Sequence, residues 1–159
     1  WICFNCFFCI TTGTGIDEIV SAARKPIVEV NYLPCGRLRS ERNSISLFKK
    51  LRYKNSMKYL GIKELLNHDL LFLFDNKKLN DLNIEIIDNT DEEIFYAVLE
   101  MEKKLNGKLI NSKNNEKNQN LFWEIIKKDK KYKIFNNFKY PDSSISSYFL
   151  ENNSEWFFN

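Results

Sequence analysis

The run Thr11-Thr12-Gly13-Thr14-Gly15-Ile16-Asp17-Glu18 has the residue types and spacing of an anion-binding turn. A short apolar stretch, Phe7 to Thr11, leads into it as a strand. Ile16, Ile19, Val20 and Ala23 follow at the i, i+3, i+4, i+7 spacing of an amphipathic helix over Ile16 to Arg24. A helix N-terminus carries unpaired N–H groups and partial positive charge, glycines let a phosphate reach the backbone, and threonine hydroxyls add donors. A diphosphate is the ligand such a turn suits. The run is neither a Walker A loop, which needs Gly-Lys-Ser/Thr, nor Gly-x-Gly-x-x-Gly, because Glu18 stands where the third glycine belongs. On spacing alone, a tight structural turn is the competing reading, with Asp17 and Glu18 merely complementing the helix dipole.

Other chemistry-bearing residues have plainer readings. Cys3, Cys6 and Cys9 have the x2 spacing of an iron–sulfur run, but the fourth cysteine and following proline are missing, and the one other cysteine is Cys35. Thiols in so apolar a setting read as buried small hydrophobes in a reducing compartment, with no metal site. His68 is the only histidine and sits at the end of an expected helix, where it reads as a cap or surface residue. Arg37, Arg39 and Arg42 could clamp an anion but read as a solvated loop, and the Lys127 to Tyr140 stretch, with Tyr132, Phe135, Phe138 and Tyr140 among its lysines, reads as a packing segment.

The elements that would hold the turn can be read around it. Trp1 to Ile10 is an apolar run of about ten residues, half of what a bilayer span needs, and it reads as a buried strand without a charged leader or cleavage site. Ile27 to Leu33 is a β-branched strand stopped by Pro34 and Gly36, so the first 34 residues spell strand, glycine turn, helix, strand, the order of a right-handed parallel βαβ crossover. Arg37 to Tyr59 reads as a long basic loop with a short helical piece. Gly61 to Asn67 reads as a short helix, Leu70 to Phe74 as a strand, Asn76 to Leu82 as one or two helical turns, and Ile84 to Ile87 as a last strand. Thr90 and Glu93 form a capping box that opens a long helix from Asp91, with Ile94, Val98, Met101 and Leu105 inward and Gly107 as its C-terminal cap. A helix over Glu116 to Lys128 and a final one over Ser143 to Asn152 complete the chain.

Composition sets the outer bounds. With 159 residues, 43% of them apolar, the chain can bury one core, and a net charge of +3 with both signs interleaved implies no field for nucleic acid. The domain division expected is 1–110 as one α/β unit, with 111–159 as a helical extension packed on it.

The order of several segments resembles a bacterial family of surface-carbohydrate biosynthesis glycosyltransferases. The segments are Thr11 to Ile19, Pro26 to Gly36, Ser46 to Leu51 and Tyr59 to Leu66, then Ile86 to Ile94 running into Ala97 to Glu102, and the ending Ile145 to Leu150. The resemblance implies an α/β fold, the Rossmann-like C-terminal half of a GT-B-type enzyme, with a small parallel sheet flanked by helices. It implies a nucleotide-diphosphate-sugar donor as substrate, with no further cofactor and no metal, used in lipopolysaccharide or capsule assembly. By position, Thr12, Gly13, Thr14 and Gly15 would face the donor diphosphate, and Asp17 and Glu18 would accept from a ribose or sugar hydroxyl. Asn31, Tyr32 and Pro34 would lie at the carboxyl end of the next strand, where open α/β sheets place ligands. Cys35 and Ser146 depart from the family's pattern, standing where a bulky apolar residue and a glycine are expected. The acceptor, a glycan or glycolipid, would sit mainly on an N-terminal domain that this chain lacks, so the chain alone would be inactive. Catalytic residues stay unassigned. The expected setting is cytoplasmic, peripheral at the inner face of the membrane, without a transmembrane segment. A nucleotide-sugar epimerase of the same architecture and a non-catalytic α/β interaction module are the alternatives.

Overall fold

The structure, a computed structural model, describes residues 1–37, 43–72, 75–129 and 143–159. The order of elements is α1 (Ile2–Asn5), β1 (Cys9–Thr11), α2 (Ile16–Ala22), β2 (Ile27–Tyr32), a 3-10 turn (Cys35–Arg37), β3 (Ser44–Phe48) and β4 (Lys50–Tyr53), then α3 (Ile62–Asn67), α4 (Asn76–Asp81), β5 (Ile84–Ile87), α5 (Asp91–Leu105), α6 (Lys113–Lys128), β6 (Ser144–Ile145) and α7 (Ser147–Phe157).

The chain is α/β. Four parallel strands lie in the order β1-β2-β3-β6, and β4 pairs antiparallel with β5 in a second, two-stranded sheet. The expected parallel βαβ unit is present: Cys9, Ile10 and Thr11 of β1 lie opposite Ile27, Val28 and Glu29 of β2, with α2 between them in sequence and against both strands. Helix α5 rests on β2 and β3, and α7 on α5, α6 and β6.

The core is centred on Phe48, whose ring lies 4.8 Å from that of Phe149, 5.2 Å from Phe157 and 6.3 Å from Phe122. These rings join β3, α6 and α7, so residues beyond 110 fill the same core as Val28, Val30, Ile45 and Leu47. Each aromatic pair adds about 0.5–1.5 kcal/mol beyond the burial itself.

Five expectations need correction. Trp1 to Ile10 is not a buried strand: residues 2–5 make one helical turn, Trp1 is 91% exposed, and strand pairing begins at Cys9. Arg37 to Tyr59 is not a loop throughout, since it contains β3, buried on both faces, and β4. Leu70 to Phe72 form no strand; they are buried filler, and the Leu71 carbonyl accepts the Gly36 N–H at 2.7 Å. Residues 73 and 74 lie outside the described part. The end of the chain begins with a two-residue strand, β6, and its helix starts only at Ser147 and runs on to Phe157. Helix α6 also starts earlier than expected, capped by Ser112.

Among the described residues, no helix is long and apolar enough to cross a membrane.

Candidate functional site at the glycine turn

Thr11 ends β1 with its side chain buried, and its Oγ1 accepts the Gly13 N–H at 3.1 Å. That bond closes a local turn where the pairing of β1 ends. Gly13 and Gly15 both have left-handed backbone, with φ of 79° and 87°, which side chains with a Cβ adopt at a cost. They differ in surroundings. A Cβ on Gly13 would lie 3.6 Å from the Tyr32 ring and 3.9 Å from Glu29 Oε1, whereas one on Gly15 would meet nothing within 4 Å. Thr12, Gly13, Thr14 and Gly15 are exposed, and Gly15 is the N-cap of α2.

The acidic pair that follows splits. Asp17 is only 1% exposed and points into the protein, while Glu18 faces solvent. One-residue spacing on a helix, about 100° of rotation, is enough to separate them. With Glu29, buried in β2 directly opposite Thr11, three carboxylates border the turn.

The carboxyl end of β2 is shaped by Asn31. Its backbone is left-handed, with φ of 54°, at a register shift between Glu29 and Tyr32. Asn31 and Asn89 exchange hydrogen bonds: the Asn31 N–H donates to Asn89 Oδ1 at 2.8 Å, and the Asn89 N–H donates to Asn31 Oδ1 at 2.7 Å. Asn89 Nδ2 also donates to the Phe48 carbonyl at 3.0 Å. The ends of β2 and β3 are thereby tied to the β5–α5 junction. Tyr32 stands half-buried against the turn, and Pro34 is buried after a cis Leu33–Pro34 peptide.

The eight expected site residues therefore fall into three groups. Thr12, Gly13, Thr14, Gly15 and Tyr32 form one rim, with Glu18 exposed on the first turn of α2 beside it. Asn31 borders that rim, but its amide oxygen and N–H are engaged by Asn89. Asp17 lies beneath the surface.

Sequence reasoning missed a neighbouring buried ion pair. Lys50 Nζ donates to Glu93 Oε1 and Oε2 at 2.9 and 3.1 Å, both side chains being nearly closed off from solvent, and Asn153 Nδ2 donates to Glu93 Oε1 at 3.4 Å. Glu93 was legible as a capping-box residue, and its Oε2 does accept the Thr90 N–H at 2.9 Å. Its partner Lys50 follows β3 after a single residue and carries no local signal. Removing one partner of such a pair strands a buried charge.

His68 is the C-cap of α3, with Nε2 2.9 Å from the Tyr53 hydroxyl. Cys3, Cys6 and Cys9 form no disulfide and are only half-buried rather than buried, while burial pushes the Cys35 thiol up to about 12 and keeps it protonated. Among the described residues, no group of three or more His, Cys, Asp or Glu is placed to hold a metal ion. Arg39, Arg42 and the aromatic residues from Tyr132 to Tyr140 lie outside the described residues, as does the side chain of Arg37.

Comparison with protein families, with curated proteins and with solved structures finds no match for this chain.

Proposed function

We propose that this chain is the donor-binding part of a GT-B-type glycosyltransferase, which moves a sugar from a nucleotide diphosphate sugar onto a surface polysaccharide or lipopolysaccharide acceptor. The observation that carries the reading is the exposed Thr12–Gly15 turn at the carboxyl end of β1, held open by two left-handed glycines beside Tyr32. Its backbone N–H groups other than that of Gly13, which Thr11 engages, and its threonine hydroxyls would receive the diphosphate and stabilise the charge that develops as it leaves. Glu18 is the exposed carboxylate nearby that can accept from a ribose or sugar hydroxyl. The acceptor and any general base belong to a partner domain in this reading, so the chain alone is expected to bind without turning over.

Calorimetric titration with UDP, GDP, CDP and ADP tests it. One of the four should bind, and Gly15→Val should abolish binding, because the left-handed φ is lost while the open space around Gly15 leaves the core untouched. No binding by a folded sample, or equal binding by Gly15→Val, overturns the proposal.

A second reading has its own support. Trp1, Ile2, Phe4, Phe7, Ile10, Ile16 and Ile19 stand exposed around α1, the edge strand β1 and α2, as an interaction module would require. Under that reading, the turn is structural and no nucleotide binds.

A further inference from the structure

The β6 edge of the sheet lies opposite the β1 edge that bears the glycine turn. There α5, the segment joining it to α6, and the start of α7 border two adjoining, half-open clefts of about 230 and 240 Å³. Glu100, Leu109, Asn111 and Asn115 line both and form their shared wall.

The walls mix polar and apolar groups, and a few of the polar ones are buried. Glu100 and Asn115 are nearly closed off from solvent. Ser147 fixes the Glu100 carboxylate, its Oγ donating to Oε1 and its N–H to Oε2, both at 2.8 Å. Ser112 Oγ donates to Glu151 Oε1 at 2.6 Å on the far side of the first cleft. In the second cleft Ser143 Oγ is buried and has no hydrogen-bond partner among the described residues. Leaving such a hydroxyl unmet costs about 1–3 kcal/mol. The first cleft is bordered by Tyr96 and Tyr148, whose rings stack 4.2 Å apart at 14°.

The charges lining the clefts balance, since Lys103 and Lys104 offset Glu100 and Glu151. That balance disfavours an ionic ligand. Glu100, Asn115 and Gln119 are engaged within the wall, but the Asn111 amide N–H, the Glu151 carboxylate and the Ser143 hydroxyl leave the mixed donors and acceptors that a polyol needs, and tyrosine rings offer a surface for its C–H face. Each cleft is smaller than the ~300–1,000 Å³ of pockets for drug-sized ligands, so each has room for one small ring. We propose that the paired clefts bind a neutral saccharide, one sugar ring to each. The inference stands apart from the glycine turn and needs no nucleotide.

Saturation-transfer NMR tests it on the full chain, with glucose, galactose, mannose, N-acetylglucosamine and β-1,4-linked disaccharides of glucose and N-acetylglucosamine, each to about 10 mM, which reaches the weak affinity expected of single-ring sites. At least one should receive saturation, with a disaccharide giving more than its monosaccharide. Asn111→Trp places an indole in the shared wall from an exposed position and should weaken binding by about tenfold or more. Should that variant not fold by circular dichroism, Tyr96→Ala, on the exposed face of α5, should show the same loss. Silence from every saccharide, which is the result for clefts holding water alone, overturns the proposal, as does binding that a folded variant leaves unchanged.

Discussion

At the scale of single residues, the sharpest consequence concerns Glu100. Burial pushes its carboxyl above the ordinary value of 4.5, and the two hydrogen bonds from Ser147 offset only part of that effect. Between the ordinary and the raised value, the folded chain holds a proton that the unfolded chain has released. Stability contributed by this group is therefore complete below about pH 4.5 and is lost as pH rises through the raised value. Glu64 runs the other way: burial raises its carboxyl, but the Gly61 N–H and Lys58 outweigh this and leave it lowered, so its contribution is lost as pH falls. Urea denaturation at a series of pH values should show a downward slope above pH 4.5 that Glu100→Gln removes; an identical slope in the variant would refute the assignment.

At the scale of elements, α5 shows how local signals and tertiary position divide the work. Thr90 Oγ1 accepts the Glu93 N–H at 3.2 Å, and Glu93 returns the bond to the Thr90 N–H, so the capping box expected from the sequence is formed. Thr90→Ala should cost about 1 kcal/mol, read as a shift in the urea midpoint at constant slope; a loss below a few tenths would show that the buried Lys50–Glu93 pair, not the cap, fixes the helix start. Helices with a periodic stripe or a cap, such as α2, α3 and α5, were legible for that reason. So were β2 and β5, rich in isoleucine and valine. Strand β3 was not, because Ser44 and Ser46 read as loop residues, and their burial comes from lying between β2 and β6. Strand β6 has two residues and exists only through its pairing with β3 and the bonds that Gln119 makes to Ile145. For the turn, residue types and spacing located the rim, but not the inward rotation of Asp17 or the use of Asn31 by Asn89. Those depend on residues far along the chain.

For the molecule as a whole, seven of the twelve large apolar side chains that stand exposed among the described residues fall within the first nineteen. The edge strand β1 adds Ile10 to that surface. Exposed patches of this kind drive association more than they support the fold. The triple change Trp1→Ser, Phe4→Ser, Phe7→Ser should lower the sedimentation-measured tendency to self-associate while leaving the melting temperature within about 2 °C. A large fall in melting temperature would mean that these side chains belong to the core.

The exchange between Asn31 and Asn89 spans 58 residues of sequence. During synthesis, the carboxyl end of β2 therefore waits for the β5–α5 junction before it can close, and the loop-closure entropy between them must be met first. The bond that closes the glycine turn is local in sequence, whereas the wall beside it rests on a long-range exchange. In a growing chain the residues of the turn emerge well before Asn89, which braces its wall.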